Sequence, residues 1–145
     1  MSSRSPRFGI VVSRFNLGIT ELLLAGALIC FRKHRVPERS VDVRWVPGAF
    51  ELPVAALRMA KRGRCGAVVA LGCILEGETP QFRYLSEATY LGLSLAGVMS
   101  GVPITSGVIT AKSWRHARER ANPRGLNRGG EAAQAAWEMS RQAGP

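Results

Sequence analysis

Residues 8–34 read FGIVVSRFNLGITELLLAGALICFRKH, and their parsing decides how the rest of the chain is read. Residues 8–12 are a β-branched apolar run with almost no alternation, the pattern of a strand covered on both faces. Residues 13–16, Ser-Arg-Phe-Asn, interrupt it with polar groups around one aromatic. Residues 20–34 then have helical length, with Glu21 in the first turn and Arg32, Lys33 and His34 in the last, the arrangement a helix dipole favours. A doubly covered strand followed by an apolar helix is the opening of a parallel β-α-β unit.

The same alternation continues. A second strand is expected over residues 41–46, then Pro47-Gly48, then a helix over 50–61 whose Pro53 is tolerable only near its start. Residues 67–71 (AVVAL) give a third buried strand, residues 72–78 a loop, and Thr79-Pro80 an N-cap and first helical residue for a helix to about residue 100. Residues 103–109 make a fourth strand and residues 114–121 a short helix ended by Asn122-Pro123. The link PRGLNRGG leads to a last helix over 131–142. Helical connections of this length fit parallel crossovers. The expectation is a three-layer α/β sandwich with a four-stranded parallel sheet and helices on both faces. It is one domain over residues 1–145, with residues 1–7 as an unstructured lead.

Composition agrees with one domain and narrows its class. The chain of 145 residues is 46% hydrophobic and 21% charged, enough to bury roughly two-thirds of its unfolded surface. Its formal charge of +10 comes from 17 Arg and 3 Lys against ten acids. Such a charge attracts polyanions without selecting one, and the Arg bias also fits a GC-rich genome. Cys30, Cys65 and Cys73 have no C-x-x-C spacing, so no disulfide framework or metal site is signalled and a reducing, cytoplasmic setting is expected. No stretch has the character of a signal peptide or a membrane span.

In a parallel sheet, ligands bind at the carboxyl ends of the strands. The loops there carry Phe15, then Ala49-Phe50-Glu51, then Cys73 through Thr79, then Thr110 and an arginine-rich helix. A stacking aromatic, a carboxylate, a Gly77-Glu78-Thr79 helix start and guanidinium groups suit a planar ligand together with a phosphate. Each also has a plain reading as core, cap or solvated face, so only their combination points to a site.

That combination resembles the 6,7-dimethyl-8-ribityllumazine synthase family. SRFN (13–16), WVPGAFELP (45–53), LGCILEGET (71–79), GVPITSGVIT (101–110) and ERANPRGLNRGGEAA (119–133) carry the resemblance, which runs from about residue 8 to residue 139. It implies a flavodoxin-like fold. It also implies a transferase of riboflavin biosynthesis that condenses 5-amino-6-(D-ribitylamino)uracil with 3,4-dihydroxy-2-butanone 4-phosphate, giving the lumazine, phosphate and water. No cofactor and no metal are implied. The resemblance sets Phe15 against the pyrimidine and Ala49, Phe50 and Glu51 around the ribityl chain. It sets Cys73, Ile74 and Leu75 at the pyrimidine edge through their backbone, and Glu78, Thr79, Arg120 and Arg128 near the phosphate.

Two departures from the family pattern stand out. Where the pattern R-G-x-T-x-H supplies a histidine as proton carrier, this chain reads Glu76-Gly77-Glu78-Thr79-Pro80-Gln81, and Gln81 cannot titrate near neutral pH. Ser106 stands where the family usually has a phenylalanine that a neighbouring subunit contributes to the pyrimidine pocket. A catalytically attenuated, ligand-binding or shell-forming relative is therefore the alternative to the enzyme. Of the two histidines, His34 is expected at the surface. His116, four residues before Arg120 and so on its helical face, is a candidate to approach the phosphate. The resemblance further implies a homopentamer with sites between subunits. It leaves a decamer or a 60-subunit shell open, allows riboflavin synthase as a partner, and implies neither membrane nor specific nucleic-acid binding.

Overall fold

The computed structural model describes residues 7–142. Four parallel strands form one sheet in the order β2-β1-β3-β4: β1 (Arg7–Ser13), β2 (Val41–Val46), β3 (Cys65–Leu75) and β4 (Ile104–Ala111). Helices α1 (Leu17–Lys33), α4 (Trp114–Ala121) and α5 (Arg128–Arg141) cover one face; α2 (Leu52–Lys61) and α3 (Gln81–Ser100) cover the other. This is a three-layer, flavodoxin-like α/β fold. The strand order reverses between β1 and β3, the place where such sheets open a crevice at their carboxyl ends.

The unalternating strands have the expected cause. Phe8, Ile10 and Val12 of β1 join Ala67, Val69 and Leu71 of β3 in the core under α1 and α5, while Val11, Val68 and Ala70 join the core under α2 and α3. Both faces of β1 and β3 are buried beyond the exposed Arg7 at the start of β1, so every other position is apolar or small. Phe8 stacks on Phe31 of α1 at 4.5 Å between ring centres. Each such fully buried large side chain stabilises the fold by roughly 1.5–3 kcal/mol.

Several element boundaries differ from expectation, each for a local reason. Helix α1 starts three residues early, at Leu17, so Glu21 is not in its first turn. Asn16 adopts the left-handed conformation (φ 64°, ψ 47°) and its carbonyl already accepts the Ile19 and Thr20 amides. Strand β3 runs on to Leu75 because β4 keeps pairing with it as far as Leu75 opposite Ala111; Cys73, Ile74 and Leu75 are therefore strand, not loop. Helix α3 begins at Gln81, with Pro80 in the capping position and no side-chain cap from Thr79. Helix α5 begins at Arg128 instead of residue 131. The Asn127 side chain caps it by accepting the Gly130 amide, and Gly129 and Gly130 are buried because a Cβ at Gly129 would meet the Leu23 carbonyl of α1. Gly129 permits a close helix contact and Gly130 leaves room for the Asn127 side chain that caps α5; neither makes a turn.

Of the expected lead over residues 1–7, Arg7 opens β1 and the remainder lies outside the described residues. Among the described residues no helix is long and apolar enough to cross a membrane. His34, expected at the surface, is instead half-buried between α1 and α5. It stacks on Trp137 at 3.9 Å, and its Nε2 lies 2.6 Å from Gln134 Oε1.

Candidate active site

A cavity of about 220 Å³ opens where the carboxyl ends of β1 and β3 meet the start of α3. Phe15, Ala49, Cys73, Ile74, Leu75, Thr79 and Gln81 line it, all named from the sequence, together with Asn16, Phe82 and Leu85.

The β1–α1 turn that presents Phe15 is held from two sides. The Arg14 amide donates to the Val46 carbonyl at 2.8 Å, and the Phe15 amide to the Pro47 carbonyl at 3.0 Å. Asn16 Nδ2 donates to the Cys73 carbonyl at 2.9 Å. The backbone is thus fixed while the Phe15 ring remains 71% exposed. An aromatic face presented on a tethered loop is available for a planar ligand without the cost of ordering it first.

The β2–α2 connection places Ala49 inside and Phe50 outside, with Glu51 half-buried between them. One Glu51 carboxylate oxygen accepts the Gly48 amide at 2.9 Å, which fixes the carboxylate and leaves acceptor capacity for a ligand hydroxyl. On β3, burial pushes the Cys73 thiol up to about 11, so it stays protonated at neutral pH and is no thiolate nucleophile. What Cys73, Ile74 and Leu75 offer is backbone. The β1 register ends at Val12 opposite Leu71, so the last turns of β3 lack a strand partner on that side. Glu76, Glu78 and Thr79 are exposed in the loop before α3, and Gln81 is the helix's first residue, where amide groups lack intrahelical acceptors.

A second set of predicted residues lies along β4 and does not line this cavity. Arg120 Nη1 donates to the Thr110 carbonyl at 2.6 Å, which anchors the half-buried guanidinium at the end of β4. Beside it the Tyr90 hydroxyl donates to the Val108 carbonyl at 2.6 Å; burial raises its pKa, against the opposing influence of Thr110 and the Arg120 charge. Arg128 pairs with Glu131 at 2.7 Å, and its carbonyl lies beside Gly107. Ser106 is exposed on β4, its hydroxyl accepting the Val108 amide at 3.2 Å. β4 is an edge strand, and along it Ser106 and Arg128 are exposed while Arg120 is half-buried.

Phe50, Glu51 and Glu78 adjoin the cavity without lining it, and His116 is exposed on α4, outside it. Sequence reading gave no role to Asn16. Its signal was present, because asparagine between a strand and a helix is the residue type that both tolerates a left-handed backbone and caps. Phe82 and Leu85, three residues apart on α3, were legible only as helix interior. A family model described as 6,7-dimethyl-8-ribityllumazine synthase matches residues 5–143 of the chain.

Proposed function

The chain belongs to the 6,7-dimethyl-8-ribityllumazine synthase family, and on that premise we propose that it is a transferase condensing 5-amino-6-(D-ribitylamino)uracil with 3,4-dihydroxy-2-butanone 4-phosphate. The observation that carries this reading is the single cavity joining Phe15, Ala49, the end of β3, Thr79 and Gln81. In this proposal the pyrimidinedione stacks on Phe15 and hydrogen-bonds the backbone of Cys73 to Leu75, which no strand pairs on the β1 side and where Asn16 already holds the Cys73 carbonyl. Ala49, Phe50 and Glu51 receive the ribityl chain. The phosphate sits between the loop amides of Glu78 and Thr79, just ahead of the α3 N-terminus, and the guanidinium groups of Arg120 and Arg128.

The chemistry then has three steps. The uracil's amine attacks the butanone carbonyl and water leaves as the imine forms. The phosphate departs with the C–O bond electrons while a carbon-bound proton is lost. Ring closure expels a second water. Arg120, already anchored on Thr110, would stabilise the departing phosphate. Gln81 orients the amine or a water but carries no proton near pH 7, so the steps that need a proton carrier fall to solvent.

The division of the residues supports a shared site. One set surrounds the cavity and the other flanks the β4 edge, so the proposed pocket is completed when β4 of a neighbouring subunit faces the cavity of the first. Self-association has a surface to use. Tyr84, Ala88, Leu91, Leu95 and Val98 follow a 4-3-4-3 spacing on α3 and are exposed, which is the seam of a helix bundle. A homopentamer is the proposed assembly, with riboflavin synthase as the enzyme consuming the product and the cytoplasm as the compartment.

The test is to mix the purified protein with both substrates and follow lumazine absorbance against the uncatalysed background. A rate above background, lost in Arg120→Ala, is expected; a rate equal to background refutes catalysis. The second reading, an attenuated or degenerate binding or shell-forming relative, is favoured by Gln81 lining the cavity. It requires saturable substrate binding with no such rate.

A further inference from the structure

At the opposite end of the sheet the amino ends of β1, β2 and β3 form a second concavity of about 280 Å³. Its position follows from how α2 lies. That helix packs on β1 and β3, where Gly9 has no side chain and Met59 fills the space a Cβ would need. The neighbouring face of edge strand β2 is left uncovered, and a trough remains between β2 and the end of α2. Met59, Val41 and Cys65 floor it. Arg7 and Cys65 are register partners across β1 and β3, so both open into the same space.

Five arginines wall the trough: Arg7 from β1, Arg39 from the turn before β2, Arg44 from β2, and Arg62 and Arg64 from the α2–β3 turn. One carboxylate accompanies them, Asp42, and it is engaged by Arg44 at 3.2 Å. Arg7, Arg39, Arg62 and Arg64 have no ion-pair partner among the described residues. The six residues ahead of Arg7 contain Arg4 and no carboxylate. Burial holds the Cys65 thiol up, Asp42 adds to this, and the charges of Arg7 and Arg62, which line the same trough, oppose it. The end of α2 attracts cations through its dipole, but that accounts at most for Arg62 and Arg64 on the α2–β3 turn and not for Arg7 and Arg39, which arrive from two other segments.

We propose that this trough is a binding site for an oligophosphate, either free or as the phosphate tail of a nucleotide. Four unneutralised guanidinium groups match the charge of a triphosphate, and their planar forks match its oxygens. The volume lies just below the range of small-ligand pockets, about 300–1,000 Å³, so it suits a short phosphate chain and not a polymer. The site is separate from the one proposed for catalysis, at the other end of strands about 20 Å long.

Inorganic tripolyphosphate titrated into the full chain by calorimetry at 150 mM salt tests this. The expected result is one saturable site per chain that persists in Arg120→Ala and weakens at least about tenfold in Arg62→Ala/Arg64→Ala, the effect of losing one charge-assisted hydrogen bond. The control Arg115→Ala/Arg118→Ala removes the same charge elsewhere and should leave binding unchanged. Tripolyphosphate should also slow alkylation of Cys65 but not of Cys30. Tighter binding of ATP than of tripolyphosphate would identify a nucleotide as the source; equal or weaker binding would identify free oligophosphate. The proposal is overturned by no saturable binding, by equal losses in the two double variants, by loss in Arg120→Ala alone, or by a single-stranded oligonucleotide binding where tripolyphosphate does not.

Discussion

Replacing Gln81 with histidine isolates the missing proton carrier. Gln81 lines the cavity beside Thr79 and is exposed as the first residue of α3, so an imidazole there can enter the same space without repacking the core. A positioned general acid–base group is worth about two to four powers of ten in rate. At 1.36 kcal/mol per power of ten, that lowers the barrier by about 2.7–5.4 kcal/mol. The helix N-terminus disfavours the charged imidazolium by about 0.3–1 kcal/mol, so the new group should titrate below the ordinary value of about 6.5 and be mostly neutral at pH 7. Lumazine formation by Gln81→His should therefore exceed wild type by at least about 100-fold in kcat, with little change in KM. Its pH–rate profile should gain a limb on the acid side of neutrality that wild type lacks. A variant that binds both substrates as wild type does, yet gains neither rate nor limb, refutes the reasoning that Gln81 is the bottleneck.

Asn16→Ala removes both the hydrogen bond to Cys73 and a residue suited to the left-handed backbone, and should cost about 1–3 kcal/mol in urea unfolding; Asn16→Gly keeps the backbone and should recover part of it. Gly129→Ala drives a methyl into the Leu23 carbonyl and should cost about 1–3 kcal/mol, lowering the melting temperature by about 3 °C or more. The Cys73 thiol holds its proton to about 11 in the folded chain against 9.0 unperturbed. The unfolded chain binds fewer protons between those values, so this contribution is complete below pH 9 and falls as pH rises toward 11. The stability advantage of wild type over Cys73→Ala should shrink across that range in urea titrations. Leu91→Glu with Leu95→Glu places charge on the exposed seam of α3, and sedimentation velocity should show the assembly breaking into smaller species while the far-UV spectrum is unchanged.

The β-α alternation, the two buried faces of β1 and β3 and the exact span of β2 were readable from hydrophobic pattern because burial alone sets them. The errors fall where a tertiary partner decides the outcome. Cys73, Ile74 and Leu75 looked like loop because Gly72 ends the apolar run AVVAL, yet β4 supplies hydrogen-bond partners as far as Leu75. Gly129 and Gly130 looked like a link because glycine marks turns in the absence of a neighbour, and the neighbours here are the backbone of α1 at Gly129 and the capping Asn127 side chain at Gly130. The candidate site divides along the same line. Phe15, Ala49, Thr79 and Gln81 come together within one chain because the loops after adjacent strands must converge. Arg120, Arg128 and Ser106 stay apart from them along β4, where a single chain has nothing further to bring.

The positive charge divides between the two ends of the sheet in a way composition does not explain. A genome rich in G and C selects arginine over lysine wherever a cation is tolerated. It does not bring guanidinium groups from β1, from the turn before β2 and from the α2–β3 turn into one trough with a single, already engaged carboxylate. Elsewhere Arg83, Arg115 and Arg128 each have a glutamate three or four residues on, so helical spacing supplies a partner where the chain needs one. Assembling like charges in a concave, partly apolar space raises the energy of the folded chain, and binding a polyanion lowers it again. At the carboxyl end a smaller version holds: Arg120 is anchored by a neutral carbonyl, so its charge is oriented but not neutralised and remains available to a phosphate. Arg128, paired with Glu131, must exchange that partner to bind the same ligand, and removing Glu131 should strengthen phosphate binding while removing Arg128 weakens it.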